Sequence, residues 1–207
     1  MKLRPYQIEC VEALREGIRN KHRCQILCAP TGSGKTVIGA HLLQEVLRNE
    51  RKAAFVVDRV ALTSQTSRTL AEFNIPHGLA QGANTVGRTL PIQVCSAQTV
   101  ERRGYWPDLD LLIVDEAHTQ RKAVIEFAQN TRVPVIGLTA TPFTKGLADT
   151  YSRVVNLTTT DQLVDEGYLA PLKVYVSKEI DMTGAKVTAG EWQAGEVEER
   201  GRAIIGD

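Results

Sequence analysis

The sequence has few cysteines, no strong net charge and no long apolar run, and each of these absences narrows its class. The four cysteines fit neither a zinc-ligand spacing nor a disulfide framework, which predicts buried thiols and a reducing, cytoplasmic compartment. With a net charge of +1, the chain as a whole has no nucleic-acid-binding signature, although a neutral average can hide a local basic strip. No apolar run approaches the roughly 20 residues that cross a bilayer, and residues 1–6 lead into no signal-peptide core, so no membrane partner is expected.

Apolar strands and amphipathic helices alternate along most of the chain. Its 207 residues, 43% of them hydrophobic, suffice for one α/β domain with some residues left over. The alternation predicts a parallel sheet with helices on both faces. Ligands of such sheets bind at the carboxyl ends of the strands, so residues that follow the strands are expected to meet at one edge. Strands are predicted at residues 25–29, 53–58, 92–96, 111–115 and 135–139, and helices at 5–19, 36–47, 62–73, 97–103 and 117–130.

The sequence also predicts local features at both ends of the domain. Near its end, Thr160 is predicted to cap a short helix over residues 161–166, which Gly167 ends. A strand is then predicted over residues 172–176. At its beginning, the apolar face of the first helix is expected to consist of Ile8, Val11, Leu14 and Ile18.

A phosphate-binding loop is predicted at Ala29-Pro30-Thr31-Gly32-Ser33-Gly34-Lys35-Thr36. It lies between a predicted strand and a predicted helix, which is the context that this motif needs. The glycines let several backbone N–H groups point at one phosphate, and the helix adds its own free N–H groups and the positive end of its dipole. Lys35 would neutralise the β- and γ-phosphates of ATP, and Thr36 would hold Mg²⁺. Ala29 replaces the first glycine of the usual pattern, and the alternative is a Gly/Ser turn before a helix.

The second half of the predicted ATP site is the segment Asp115-Glu116-Ala117-His118, which follows four apolar residues. Asp115 ends the predicted strand, where it can hold Mg²⁺ through water, and Glu116 can orient and deprotonate the attacking water. Phosphoryl transfer requires mainly positioned charge, which these residues supply. An acidic pair after a strand is common by itself, and it is the Gly-Lys-Thr loop upstream that favours an ATP site.

Taken in order, these two segments and Leu138-Thr139-Ala140-Thr141-Pro142 resemble motifs I, II and III of superfamily 2 helicases and translocases. Three further segments agree. Leu3-Arg4-Pro5-Tyr6-Gln7 resembles the adenine-recognising segment of that family, residues 57–65 resemble motif Ia, and residues 95–99 resemble a block that contacts the nucleic-acid backbone. The resemblance covers residues 3–143 and is strongest to the DEAH-type motors of the restriction-enzyme, repair and phage groups.

The resemblance implies a RecA-like, ATP-binding domain over residues 1–178, with ATP and Mg²⁺ as its cofactors. It implies catalytic roles for Lys35, Asp115, Glu116 and His118, and Mg²⁺ binding by Thr36 and Asp115. The nucleotide would be bound by Arg4, Gln7, Pro30, Thr31, Gly32, Ser33, Gly34, Lys35 and Thr36.

The resemblance also implies a nucleic-acid partner, with DNA favoured over RNA. Phosphates of one strand would be contacted by Arg59, Gln65, Gln98 and Thr99, and Thr139 and Thr141 would couple hydrolysis to movement. Five of these residues also have an ordinary structural interpretation: a surface charge for Arg59, a helix cap for Gln98 and Thr99, and turn hydroxyls for Thr139 and Thr141. The pairs Arg102-Arg103 and Arg121-Lys122 are interpreted as solvated faces.

A motor of this family needs a second RecA-like domain, which supplies arginine fingers to the transition state. Too few residues follow Phe143 for such a domain, so we expect an N-terminal fragment in which residues 179–207 are a linker or the beginning of the missing domain. The fragment is expected to bind nucleotide with modest affinity and to hydrolyse it slowly or not at all.

Two other classes of protein stay open at this point. One is a stand-alone RecA-like module that binds nucleic acid or a partner and uses nucleotide as a switch. The other is a phosphate-loop ATPase or kinase unrelated to nucleic acid, against which the segments resembling motifs Ia and III argue.

Overall fold

The central feature of the computed structural model is a mostly parallel sheet. The structure describes residues 2–82, 84–104, 106–171, 183, 187–188 and 191–192. The described residues of the sheet form eight strands in the order β4-β3-β5-β2-β6-β7-β1-β8, and every neighbouring pair is parallel except the hairpin β3–β4. The strands are β1 Cys24–Cys28, β2 Ala53–Val57, β3 Gly78–Gln81, β4 Asn84–Val86, β5 Ile92–Ser96, β6 Leu111–Val114, β7 Val135–Thr139 and β8 Arg153–Val155.

Helices connect the strands and cover the sheet. They are α1 Pro5–Arg19, α2 Lys35–Arg48, α3 Val60–Glu72, α4 Ala97–Arg103, α5 Lys122–Asn130, α6 Leu147–Thr150 and α7 Thr160–Asp165, and a 3₁₀ turn is present at Ala117–Thr119. The chain divides into two compact units, Met1–Leu169 and Ala170–Asp207. In the second unit, the described strands β9 Val187–Thr188 and β10 Glu191–Trp192 form an antiparallel pair.

The central strands consist of apolar residues because both of their faces are buried. Successive side chains of a strand point to opposite faces, so β2 sends Phe55 into one core and Val56 into the other. The first core lies under α1, α2 and α3, and the second lies under α4 and α5. The predicted architecture, a parallel sheet with helices on both faces, is confirmed.

The predicted apolar face of α1 is wrong in part. Val11 and Leu14 are buried, but Ile8 is 50% exposed and Ile18 is 37% exposed. The buried face is rotated because the helix packs on Gln25, whose amide donates to the Leu14 carbonyl oxygen at 2.9 Å. The helix therefore buries Tyr6, Gln7, Cys10, Val11, Leu14 and Gly17.

Two local predictions also differ from the structure. The predicted helix over residues 117–130 is interrupted at Gln120, whose φ is +47°, so that α5 begins only at Lys122. Thr159, not Thr160, caps α7, by accepting a hydrogen bond from the Gln162 N–H. The strand predicted over residues 172–176 lies outside the described residues. Four short elements were not predicted, since three or four residues carry too little periodicity: β3, β4, β8 and α6.

The sheet order brings the predicted site segments to one edge. The loops after β6, β7 and β1 are neighbours there, and they carry Asp115, Thr141 and the phosphate loop. The loops after β2 and β5 continue the same edge.

All four cysteines are free and buried, and burial raises the pKa of Cys10 and of Cys95 to about 11, so neither is a reactive thiolate. Within the part of the chain that the structure describes, no helix is long and apolar enough to cross a membrane.

Candidate nucleotide and nucleic-acid sites

The loop between β1 and α2 owes its shape to two glycines. Gly32 has φ +81° and Gly34 has φ +82°, a region that residues with a Cβ seldom occupy. A Cβ on Gly34 would lie 2.6 Å from the Gln7 side-chain nitrogen, so space as well as backbone geometry requires glycine. Among the described residues no side chain caps α2, and the hydroxyl of the buried Ser33 finds no partner. An uncapped helix start after a glycine-rich turn fits a phosphate group.

The Lys35 side chain curls back over this loop. Its ammonium group donates to the carbonyl oxygens of Ala29 at 2.9 Å and Pro30 at 3.1 Å. Burial lowers the pKa of Lys35, while the carboxylates of Glu116 and Asp115 act in the opposite direction. The only lysine of the loop is therefore close enough to the predicted acidic pair to interact with both of its charges. The neighbouring Thr36 is half-buried in the first turn of α2.

The acidic pair stands at the carboxyl end of β6. The Asp115 N–H donates to the Val56 carbonyl oxygen at 2.8 Å, which ties the end of the strand to β2. Burial raises the pKa of Asp115, and the Glu116 charge raises it further. Glu116 has φ +48°, and its N–H donates to the Asp115 carboxylate at 3.1 Å. This left-handed turn directs the chain away from the strand immediately after Asp115.

A hydrogen-bonded chain joins the acidic segment to the loop after β7. The His118 Nδ1 lies 3.0 Å from the Thr139 hydroxyl and 3.3 Å from the Glu116 carboxylate. The Thr141 N–H donates to the same Thr139 hydroxyl at 3.0 Å. Thr139 is fully buried, whereas Thr141 is exposed and takes part through its backbone. The structure thus brings His118 together with Thr139 and Thr141, the two residues that were predicted to couple hydrolysis to movement.

The predicted adenine-recognising segment is attached to the phosphate loop. The buried Gln7 accepts a hydrogen bond from the Arg4 N–H at 3.0 Å and donates to the Ser33 carbonyl oxygen at 3.1 Å. The Tyr6 hydroxyl donates to the same oxygen at 2.5 Å. Tyr6 was not among the predicted nucleotide-binding residues, although its position beside Gln7 was a signal in the sequence. Any shift of this segment would therefore move the loop as well.

The residues predicted to contact nucleic acid follow β2 and β5. Arg59 is 74% exposed in its side chain, and Gln65 and Gln98 are exposed on α3 and α4. Together with Gly82 and Arg102, Gln98 lines a shallow cleft at this edge. These residues follow the neighbouring strands β2 and β5, so the structure groups them on the half of the edge beside the acidic segment.

Thr99 differs from the other predicted contacts because its side chain is buried, with 2% exposure. Its hydroxyl accepts a hydrogen bond from the Gly82 N–H at 2.9 Å and lies 2.7 Å from the Ser96 hydroxyl. Ser96, not Thr99, caps α4. The Thr99 side chain therefore supports the loop after β3, and a contact between Thr99 and a phosphate stays a prediction. Gln98 is the exposed member of the pair.

An ion pair that was not predicted from the sequence joins the loop after β2 to the residue that precedes α5. Arg121 Nε is 2.5 Å from Asp58 Oδ1, and Arg59 Nε is 3.3 Å from the other carboxylate oxygen. The hydrogen bond from Arg121 is the main cause that lowers the pKa of Asp58. The interpretation of Arg121 as a solvated residue is wrong, whereas its neighbour Lys122 is 84% exposed. No sequence signal pointed to this pair, because 63 positions separate its members.

Replacing Arg121 with alanine is expected to lower the free energy of unfolding by about 1–2 kcal/mol, because it leaves the Asp58 carboxylate nearly buried and less well paired. The measurement is urea unfolding at neutral pH, with Lys122→Ala as the exposed control, expected within about 0.5 kcal/mol of the original chain. Because the pKa of Asp58 is lowered in the folded state, the difference should be present above the ordinary carboxylate pKa and disappear as the pH falls through the lowered value. Equal stabilities at neutral pH would show that the pair is not stabilising.

Comparison with known proteins places these features in a family context. The family model described as type III restriction enzyme, res subunit, matches residues 1–144. A 51.5 kDa protein of a Lactococcus phage (isolate 7-9) is 26% identical over 187 residues, which are 86% of this chain and 38% of that protein. IRC3 of Saccharomyces cerevisiae, a candidate ATP-dependent helicase, is 28% identical over 216 residues, covering 92% of this chain and 31% of that protein. The chain thus spans about a third of the length of these relatives.

Solved structures agree at the level of the fold. The UvsW helicase from bacteriophage T4 superposes with a TM-score of 0.61 at 21% identity, over 75% of this chain and 60% of that one. A nuclease-deletion mutant of the Type ISP restriction-modification enzyme LlaGI, in complex with a DNA substrate mimic, also has a TM-score of 0.61, at 18% identity over 81% of this chain and 21% of that one.

Proposed function

Because the chain belongs to the type III restriction enzyme res subunit family, we propose that residues 30–36, 115–118 and 139–141 form the ATP site of a nucleic-acid motor. The chain is a RecA-like motor domain of the superfamily 2 helicases and translocases, as the sequence predicted. This membership does not favour the two alternatives, a stand-alone switch module and an unrelated kinase.

The observation that carries the proposal is the meeting of three segments at the ends of adjacent strands. The phosphate loop, with its uncapped helix start and Lys35, is the Walker A element and binds the phosphates. Asp115 is the Walker B residue of a DEAH box. Thr36 and Asp115 present hydroxyl and carboxylate oxygens, which are the ligands that Mg²⁺ prefers. When bound, Mg²⁺ would supply positive charge at the phosphate oxygens.

Glu116 is the proposed base that orients and deprotonates the attacking water. Its carboxylate is 43% exposed and therefore accessible to water at the edge of the sheet. The Nδ1 atom of His118 contacts both this carboxylate, at 3.3 Å, and the buried Thr139 hydroxyl, at 3.0 Å. A change at Glu116 would thus be transmitted through His118 to the Thr141 backbone, which is the proposed coupling route to the loop after β7.

Nucleic acid would lie along the other half of the edge. Arg59, Gln65 and Gln98 are exposed there, and the cleft that Gln98 lines also contains Arg102 and Glu101. Contacts of such side chains to phosphates position a strand without reading its sequence. We propose DNA over RNA. The whole protein would couple ATP hydrolysis to movement on that strand. A second motor domain beyond this chain and a cytoplasmic location stay predictions.

The experiment that tests the proposal measures ATP binding, ATP turnover and single-strand binding by the purified chain with Mg²⁺. We expect ATP binding with slow turnover, and similar affinities for two single-stranded DNAs of unrelated sequence that weaken as salt rises. An RNA of matched sequence tests the preference for DNA. A chain that binds no ATP would overturn the proposed site. ATP binding without any nucleic-acid binding would leave an ATPase but remove the motor.

A further inference from the structure

A short segment after α7 lies against the nucleotide end of the sheet. The N–H groups of Tyr168 and Leu169 both donate to the Leu163 carbonyl oxygen, at 2.8 Å and 2.9 Å. Leu163 itself is fully buried, and Gly167 makes the turn with φ +74°. The backbone of this segment is therefore held by α7, independently of the direction that the Tyr168 side chain takes.

The Tyr168 ring packs on the segment predicted to recognise adenine. The Arg4 guanidinium carbon lies 4.6 Å from the centroid of the Tyr168 ring, a cation–π arrangement. The Tyr6 ring is tilted by 58° against it, with the centroids 5.5 Å apart. Tyr6 and Gln7 both bind the Ser33 carbonyl oxygen, so Tyr168 is one contact away from the phosphate loop.

The neighbouring Leu169 contacts the loop near Gly32. Its methyl carbon lies 3.0 Å from the point that a Cβ on Gly32 would occupy. The segment thus touches the phosphate loop through Leu169 and the proposed base-recognising residues through Tyr168. The Leu169 contact therefore belongs to the part of the site proposed to bind phosphates, and the Tyr168 contact to the part proposed to bind the base.

We propose that Tyr168 is a positioning residue for the nucleotide base: it holds the Arg4 guanidinium so that the base packs against the Arg4–Tyr168 pair. Arg4 is exposed and Tyr168 is only half-buried, so the pair is accessible to a ligand. A planar guanidinium that rests on an aromatic ring is already oriented to stack on a base. The inference rests on the ATP site proposed above and adds the residue that favours a nucleotide over a bare triphosphate.

The test compares the affinities of the chain for ATP and for inorganic tripolyphosphate, both with Mg²⁺. Tyr168→Ala is expected to weaken ATP binding about tenfold and to leave tripolyphosphate binding unchanged, because only ATP has a base. Tyr168→Phe keeps the ring and is the matched control, with an ATP affinity expected within about twofold of the original. Urea unfolding of both variants confirms that they fold.

Three results would overturn the inference. Equal weakening of ATP and tripolyphosphate would mean that Tyr168 acts on the phosphate loop, and unchanged ATP affinity in Tyr168→Ala would mean that it does not hold the base. Failure of the original chain to bind either ligand would remove the proposed ATP site itself. Because that last result is seen in the unmodified chain, it is distinct from a failure confined to the Tyr168 variants.

Discussion

Replacing Lys35 with alanine is expected to weaken ATP binding by about 50-fold, or roughly 2.3 kcal/mol. The ammonium group already lies over the loop, 2.9 Å from the Ala29 carbonyl oxygen. When a phosphate binds, the ammonium group would replace this neutral acceptor with a charged phosphate oxygen, which makes a stronger hydrogen bond. Its removal also leaves Asp115 and Glu116 without the nearby positive charge, so that they repel a triphosphate more strongly. Isothermal titration of the chain with ATP and Mg²⁺ measures the loss directly.

Two further variants make this result specific. Lys122→Ala removes a lysine that is 84% exposed on α5, and its ATP affinity is expected to be unchanged. Lys35→Arg keeps the charge but changes the donor geometry, so part of the affinity should return. Full ATP affinity in Lys35→Ala would sink the assignment of this loop as the phosphate site, whatever the family membership of the chain.

The second large effect is expected at Glu116. Glu116→Gln should lower the rate of ATP cleavage by about 10²- to 10⁴-fold, because an amide cannot accept the proton of the attacking water. ATP binding should be retained or slightly strengthened, since one negative charge beside Asp115 is removed. Because the isolated chain is expected to turn over slowly, the rate is best measured with the chain in excess over radiolabelled ATP, in a single turnover.

The control for this variant is Glu126→Gln, which changes an exposed glutamate on α5 whose carboxylate lies 3.6 Å from the ammonium group of the exposed Lys122. It should cleave ATP at the rate of the original chain. A Glu116→Gln variant that keeps its cleavage rate would show that another group activates the water. A variant that instead loses ATP binding would assign Glu116 to holding the nucleotide.

Much of the fold could be predicted because the required signals are local. The five central strands were found as apolar runs, and each ends within one residue of its predicted end. The glycine-rich loop and the Asp115-Glu116 pair were recognisable because their chemistry is carried by consecutive residues. The common edge followed from the parallel arrangement, in which all carboxyl ends lie on the same side.

The sequence by itself therefore determined the class of fold and both halves of the candidate ATP site, namely the phosphate loop with its lysine and the acidic pair. Only the tertiary structure decided which distant residues meet: Asp58 with Arg121, the Thr99 hydroxyl with the Gly82 N–H, and Tyr168 with Arg4. It also decided which face of α1 is buried, since Gln25 of β1 occupies the space beside Gly17. The physical reason is range: propensity and periodicity act over a few residues, whereas these contacts depend on the order in which strands pair.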